Sequence, residues 1–275
     1  MLSEESLELI VQDHLAELEW QAGHGPDFAP GSGERDTWND IVLRGRLRNA
    51  VRNLNPDVPE EYLDQAIGEV ITPKSQSAIA ENRRIHQILV EGYRGIEYID
   101  HEGNVQNPTI YFLSSQPHKN DYLSLNQVTI ANLDGERRFD VVCYVNGMPL
   151  AFIELKKTGA NTSVEGAHNQ LQTYVQEFGM AFRFANIVIP SDDLSAKYGT
   201  PFTPWNHFAP WNVDEDGSPV DPNNMVVAGE PVTQLDLLLD GLFNVERFGQ
   251  LYSDFTAFDD TAEGLVMRIA KPHQY

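Results

Sequence analysis

Apolar residues recur with helical spacing at the start of the chain. Leu7, Ile10, Val11, Leu15 and Leu18 form one stripe through residues 3–19, and Ser3 is placed to cap it. A Gly/Pro-rich loop is expected over 23–33. The same spacing predicts a helix over 36–54, broken by Asn55-Pro56, and two more over 59–71 and 75–91, separated by Thr72-Pro73. Gly92 is placed to close the last of these as a residue just past the helix.

From Gly92 the period changes. Short runs of β-branched, aromatic and apolar residues predict strands over 93–99, 109–113, 122–130, 139–145 and 150–156. Gly103-Asn104, residues 117–120 and Asp134-Gly135 mark turns between them. Helical spacing returns over 163–178, followed by a short buried strand over 184–190. Residues 191–231 read as loop, and 233–249 as one helix. Residues 269–275 stop abruptly after an apolar segment, which suggests a boundary inside a longer chain. Helices, then strands with a late helix and strand, imply a mixed α/β or α+β architecture.

The most informative stretch is RRFDVVCYVNGMPLAFIELKK, residues 137–157. Asn146-Gly147 between two apolar runs is a strong hairpin signal. A two-residue loop would put Asp140 opposite Ile153, with Asp140 and Glu154 on opposite faces. A three-residue loop pairs Tyr144 with Met148 and sets Asp140 opposite Phe152. Glu154 then lies diagonally across on the same face, about 7–8 Å away. Two carboxylates that meet there need an odd loop or a bulge in this hairpin.

Charge complicates any role with nucleic acid. The chain carries 41 Asp and Glu against 19 Lys and Arg, a net charge of −22. A free-standing DNA binder should show a basic face. The densest basic cluster is Arg44, Arg46, Arg48 and Arg52, with either a solvated face or phosphate contact as its role. The single cysteine, Cys143, excludes an internal disulfide and a Cys-based zinc site, and fits a reducing, cytoplasmic location. The acidic N-terminus does not read as a signal peptide, and no apolar run is long enough to span a membrane.

Asp140 and Glu154 offer hard oxygen ligands suited to Mg²⁺, which keeps waters and leaves room for a phosphate oxygen. Lys156 shares the Glu154 face of its strand and can position an attacking water or offset phosphate charge. Gln170 and Tyr174, four residues apart, share one face of the following helix. His168 reads as a helix-surface residue and His86 as structural.

The block 137–157 resembles the nuclease motif of the restriction (R) subunits of type I restriction-modification enzymes, a branch of the PD-(D/E)xK nucleases. Further stretches match in order: Arg44 to Ala50 with Asn55-Pro56, Asn82, His86, Leu89 and Gly92, Asn120-Asp121-Tyr122, Asn126-Gln127, Ala167 to Tyr174, and Ile189 to Asp192. The resemblance implies a restriction-endonuclease-like core with a mixed central sheet. It makes Asp140 and Glu154 metal-binding acids, Lys156 the catalytic lysine, and Gln170 and Tyr174 a Q-x-x-x-Y motif supporting DNA contact. Arg44 and Arg48 become candidate DNA contacts. Phe139 stands where the family usually has Pro.

The resemblance also implies Mg²⁺-dependent cleavage of DNA without sequence readout, and modification and specificity subunits as partners. It implies an ATP-driven helicase-like motor in the full-length chain. KPHQY resembles the start of that motor, with Gln274 its adenine contact; no phosphate-binding loop is present in these residues. DNA delivered by such a motor need not bind tightly to this acidic part. The expected organisation is a helical region over 1–92, a nuclease core over 93–192, and an extension over 193–275. A stand-alone repair nuclease of the same superfamily and a catalytically silent docking scaffold are the alternatives.

Overall fold

A computed structural model describes residues 3–133, 135–157, 163–192, 194–221 and 225–275. Helix α1 (Glu4–Glu17) is capped by Ser3, whose hydroxyl accepts the Ser6 N–H. A short strand β1 (Gln21–His24) follows, where the glycines and proline pointed to loop alone. Three helices come next, α2 (Arg44–Leu54), α3 (Glu60–Ile71) and α4 (Ala78–Glu91). Gly92 closes α4 at φ +81°, as expected.

The helix expected from residue 36 starts only at Arg44. Ile41, Val42 and Leu43 are buried, but the backbone there is committed elsewhere. Leu43 N–H bonds Gly147 O and Arg44 N–H bonds Glu34 O. Apolar spacing reported burial correctly, and tertiary hydrogen bonds took the place of helical ones.

The two strands expected over 93–99 and 109–113 reduce to a bridge between Tyr93 and Ile110 and a small pair, β2 (Tyr98–Ile99) and β3 (Val105–Gln106). The principal strands are β4 (Tyr122–Asn132), β5 (Gly135–Val145) and β6 (Met148–Leu155). Asp134 of the expected turn lies outside the described residues. Helix α5 (Val164–Glu177) then leads to β7 (Ile187–Ser191). The remainder holds a minor pair, β8 (Val226–Val227) and β9 (Glu230–Pro231), helices α6 (Gln234–Phe243) and α7 (Val245–Ser253), and a hairpin of β10 (Thr256–Thr261) and β11 (Gly264–Ile269). The single helix expected over 233–249 is therefore two. Asn244 breaks it, and its side chain accepts the Glu246 and Arg247 N–H groups as the cap of α7.

The central sheet has the order β1-β4-β5-β6-β7. The two outer pairings are parallel and the inner ones antiparallel. Both parallel connections run through helices, as a parallel pair requires. The architecture is thus mixed α/β, a mixed sheet flanked by helices. Strands β5 and β6 are buried over most of their length, and one apolar cluster runs from Leu7 on α1 to Ile269 on β11.

The β5–β6 hairpin has a two-residue turn, not the three-residue loop. Asn146 and Gly147 both have positive φ, 51° and 76°, and Val145 pairs with Met148. A Cβ at Gly147 would sit 2.4 Å from Leu43 O, so only glycine permits this seat against α2. The irregularity the acids need is a bulge further along. Tyr144 pairs with Pro149 but Cys143 with Ala151, so Leu150 has no partner. The bulge shifts the register so that Val141 pairs with Ile153 as the last rung, and just past it Asp140 and Glu154 are near enough for their charges to act on one another. The expected diagonal register, with Asp140 opposite Phe152, is not formed, since Phe152 pairs with Val142.

Candidate active site

The regular β5–β6 pairing stops at Val141–Ile153. Beyond it the Leu155 N–H donates to Asp140 Oδ2 at 2.8 Å. Glu154 is 1% exposed. Its Oε1 accepts from Lys156 Nζ at 3.1 Å, and its Oε2 has no hydrogen-bond partner. Lys156 is itself fixed through its backbone, whose N–H donates to Ser191 O of β7 at 2.9 Å. Asp140, Glu154 and Lys156 are therefore brought together at the end of the sheet where β6 and β7 finish.

The electrostatics follow from burial. Burial and the neighbouring Asp140 charge push the Glu154 carboxyl well above the usual carboxylate range, with Lys156 opposing. Burial also raises Asp140, against the Leu155 N–H and Lys156. Two such acids are stable as anions only beside more positive charge than one lysine supplies. A hard divalent cation suits this donor set, and the unpartnered Glu154 oxygen is free for one. Among the described residues no group of three or more His, Cys, Asp or Glu could hold a metal. An ion held by these two acids would keep positions open for water and phosphate, the habit of Mg²⁺.

Helix α5, capped by Ser163, brings Gln170 and Tyr174 to the same site. Gln170 Nε2 donates to the Tyr174 hydroxyl at 2.5 Å. Burial first, then the charge of Glu154, push Tyr174 up to about 12. Its ring packs edge-on against Phe139 at 5.2 Å. The residue in the family's proline position thus buttresses the tyrosine.

Arg44 and Arg48 are not brought to the acids. Arg44 pairs with Asp36 and Asp40, and Arg48 makes two bonds to Asp64. Arg46 and Arg52 are paired as well, with Asp121 and Glu60. Their helix abuts the turn end of the hairpin, and Asp140 lies five residues down β5, about 16 Å away. Gln274 is exposed and spends its carboxamide oxygen on the Lys271 N–H in a terminal turn. His168 is buried between Trp205 and Phe208, contrary to the surface position expected of it. His86 is structural as expected, its Nε2 bonded to Tyr252 O.

Three neighbours of the acids escaped the sequence reading. Glu4 and Glu8 lie one turn apart on α1, and the charge of Glu4 acts on both Asp140 and Glu154. Glu8 is 2% exposed, with Oε2 unpartnered; burial, the largest effect, raises its pKa. A glutamate between Leu7 and Val11 looks like the edge of a polar face, and only packing of α1 on the sheet reveals it as buried. The third is Arg138, exposed and two residues before Asp140 on β5. Its charge acts on both Asp140 and Glu8, and it makes no ion pair among the described residues.

Comparison with known proteins bears on this arrangement. The model of the family described as "Type I restriction enzyme R protein N terminus" matches residues 1–207. The chain is 27% identical over 257 residues to a putative type I restriction enzyme MjaIXP endonuclease subunit of Methanocaldococcus jannaschii, covering 89% of this chain and 24% of that protein. It is 28% identical over 282 residues to the type I restriction enzyme HindI endonuclease subunit of Haemophilus influenzae, covering 100% of this chain and 26% of that one. The chain spans about a quarter of the length of these curated relatives.

Proposed function

The chain belongs to the family of type I restriction enzyme R protein N termini, and on that premise we propose that it is the endonuclease part of such a subunit. It hydrolyses DNA phosphodiester bonds with Mg²⁺, in a PD-(D/E)xK core whose working residues are Asp140, Glu154 and Lys156. The observation that carries this reading is the pair Asp140 and Glu154, close together just past the last rung of a bulged hairpin, with one buried glutamate oxygen unpartnered.

When bound, Mg²⁺ supplies charge neutralisation at the scissile phosphate and a more acidic water. The residues do the rest. Asp140 is held in place by the Leu155 N–H, and the bulge at Leu150 aligns Glu154 with it. Lys156, on the same strand face as Glu154, gives up its bond to Oε1 and turns its ammonium to the water or the phosphate. Tyr174 and Gln170, locked to one another, contact the DNA backbone beside the acids. Arg138, exposed next to Asp140, meets a flanking phosphate.

With a net charge of −22 the chain does not hold DNA tightly. DNA is delivered by an ATP-driven motor in the full-length subunit, itself carried by modification and specificity subunits that read the sequence. Gln274 is an adenine contact of that motor. The test is DNA cleavage by the full-length subunit in its complex, with ATP and Mg²⁺. Asp140→Ala should abolish cleavage and leave ATP hydrolysis intact; cleavage equal to wild type would put the chemistry elsewhere.

A further inference from the structure

Among the described residues, four other than glycine have positive φ. Glu19 follows the end of α1, Asn146 is in the hairpin turn, and Ala228 joins β8 to β9. The fourth, Gln127 at φ 53°, lies inside β4. Left-handed backbone in mid-strand is unfavourable for a residue with a side chain, and persists only where the surroundings enforce it.

The surroundings do enforce it. Asn126 pairs with Val141 and Val128 with Phe139, while Gln127 and Asp140 between them do not pair. The break is seated on Gly25, where a Cβ would lie 2.5 Å from Asn126 O and 2.6 Å from Gln127 O. No larger residue fits there without moving β4. On the other side, Gln127 lies near enough to Glu8, the buried acid of α1, to act on its carboxyl, as the Asp140 charge also does.

We propose that the break in β4 is a positioning device for Asp140, and that Gln127 is a positioning residue of the site. The left-handed turn at Gln127 removes the rung opposite Asp140 and directs the glutamine amide to Glu8. Asp140, unpaired on the β4 side, is left to the Leu155 N–H on the β6 side, which holds its carboxylate near Glu154. Gly25 holds the break from one side, and Glu8 lies near it on the other. The inference rests on the reading of Asp140 as a metal-binding acid, and adds the residues that place it.

Gln127→Gly tests it. Glycine adopts φ 53° without strain, so the variant folds, and its Tm should be no lower than that of wild type. Without the amide and the enforced geometry, Asp140 should lose its setting. Mn²⁺ titration of the 275-residue chain should then show affinity about 10–100-fold weaker, the usual effect of losing a group that orients a ligand. A readout without metal is hydrogen exchange of the Leu155 amide, the donor to Asp140. It should speed up several-fold in the variant while amides of β7 do not change. Mn²⁺ affinity and Leu155 exchange both at wild-type values would overturn the inference. If wild type binds no Mn²⁺, the metal reading falls, and Leu155 exchange still decides the role of Gln127.

Discussion

The carboxylate of Asp140 accepts the backbone N–H of Leu155 across the β5–β6 pair at 2.8 Å. This bond stands where the regular strand pairing has ended, and it holds Asp140 beside Glu154, the residue before Leu155. The fold itself thus arranges the two carboxylates, and the energetic consequence is two acids in a poorly solvated place. Each prediction below follows from that arrangement or from what supports it.

The pH dependence of stability should carry the mark of Glu154. Its pKa is raised in the folded chain from the ordinary 4.5. The folded state therefore binds the proton more tightly, so this group destabilises the fold as pH rises from about 4.5 through the folded value. Glu154→Gln should raise the metal-free Tm at pH 7–8 and leave it nearly unchanged near pH 4.5. Mg²⁺ or Mn²⁺ should raise the wild-type Tm at neutral pH and lose that effect on acidification, since protons compete for the same oxygens. Thermal melts at several pH values check both. A difference between wild type and Glu154→Gln that does not vary with pH would contradict the assignment.

Lys156 and Tyr174 should separate chemistry from packing. Lys156→Ala should lower the single-turnover cleavage rate of the full-length complex by about 10²–10⁴-fold. Tyr174→Phe keeps the ring against Phe139 and removes only the hydroxyl that accepts from Gln170. Its Tm should move little, while cleavage falls about 10–100-fold. A large drop in Tm with normal cleavage would assign the pair to the core instead.

Arg138 should be the charge that DNA senses. DNA binding by the 275-residue chain is expected to be weak and steeply salt-dependent. Arg138→Gln should reduce the slope of log K against log salt by about one, as for one lost phosphate contact. Arg48→Gln, which frees Asp64 rather than a phosphate, should leave the slope unchanged. The reverse pattern would restore the α2 arginines as the DNA contact.

His14 should tie α1, and with it Glu4 and Glu8, to the C-terminal part of the chain. It bonds Asp240 at 2.6 Å and lies 3.6 Å from Asp236. Hydrogen bonds to Asp236 and Asp240, against burial, raise its pKa from 6.5 to about 9. The stabilisation is therefore fully present below about 6.5 and lost as pH rises through about 9. His14→Gln should cost on the order of 1–3 kcal/mol at neutral pH, less at the solvated end of that range. The difference from wild type should vanish near pH 10. Denaturant titrations across pH 6–10 measure it.

Much of the candidate site was legible in order along the chain. Asp140, Glu154 and Lys156 flank a hairpin whose Asn-Gly turn is a local signal, and Gln170 and Tyr174 follow at helical spacing. The need for an irregular register was also legible, because face alternation is a matter of counting residues. The bulge was not: Leu150 drops out of the β5 pairing while its carbonyl accepts the Asn186 N–H, a partner no local pattern expresses. The ion pairs of Arg44 and Arg48 were hidden for a related reason. A run of arginines shows charge but not the aspartates across the fold that already neutralise it.

What the sequence by itself determined is the set of elements with strong period, the hairpin, and the chemical types at its ends. Those depend on interactions within a few residues. Only the tertiary structure decided that β1 completes the sheet, that Asp140 is brought near Glu154, and that Glu8 and Gln127 lie close by. Those positions depend on contacts between segments more than a hundred residues apart, such as Glu8 against Gln127 and Gly25 against the same strand. Burial and register are properties of such contacts, and they turn two ordinary carboxylates into a buried, strongly perturbed pair.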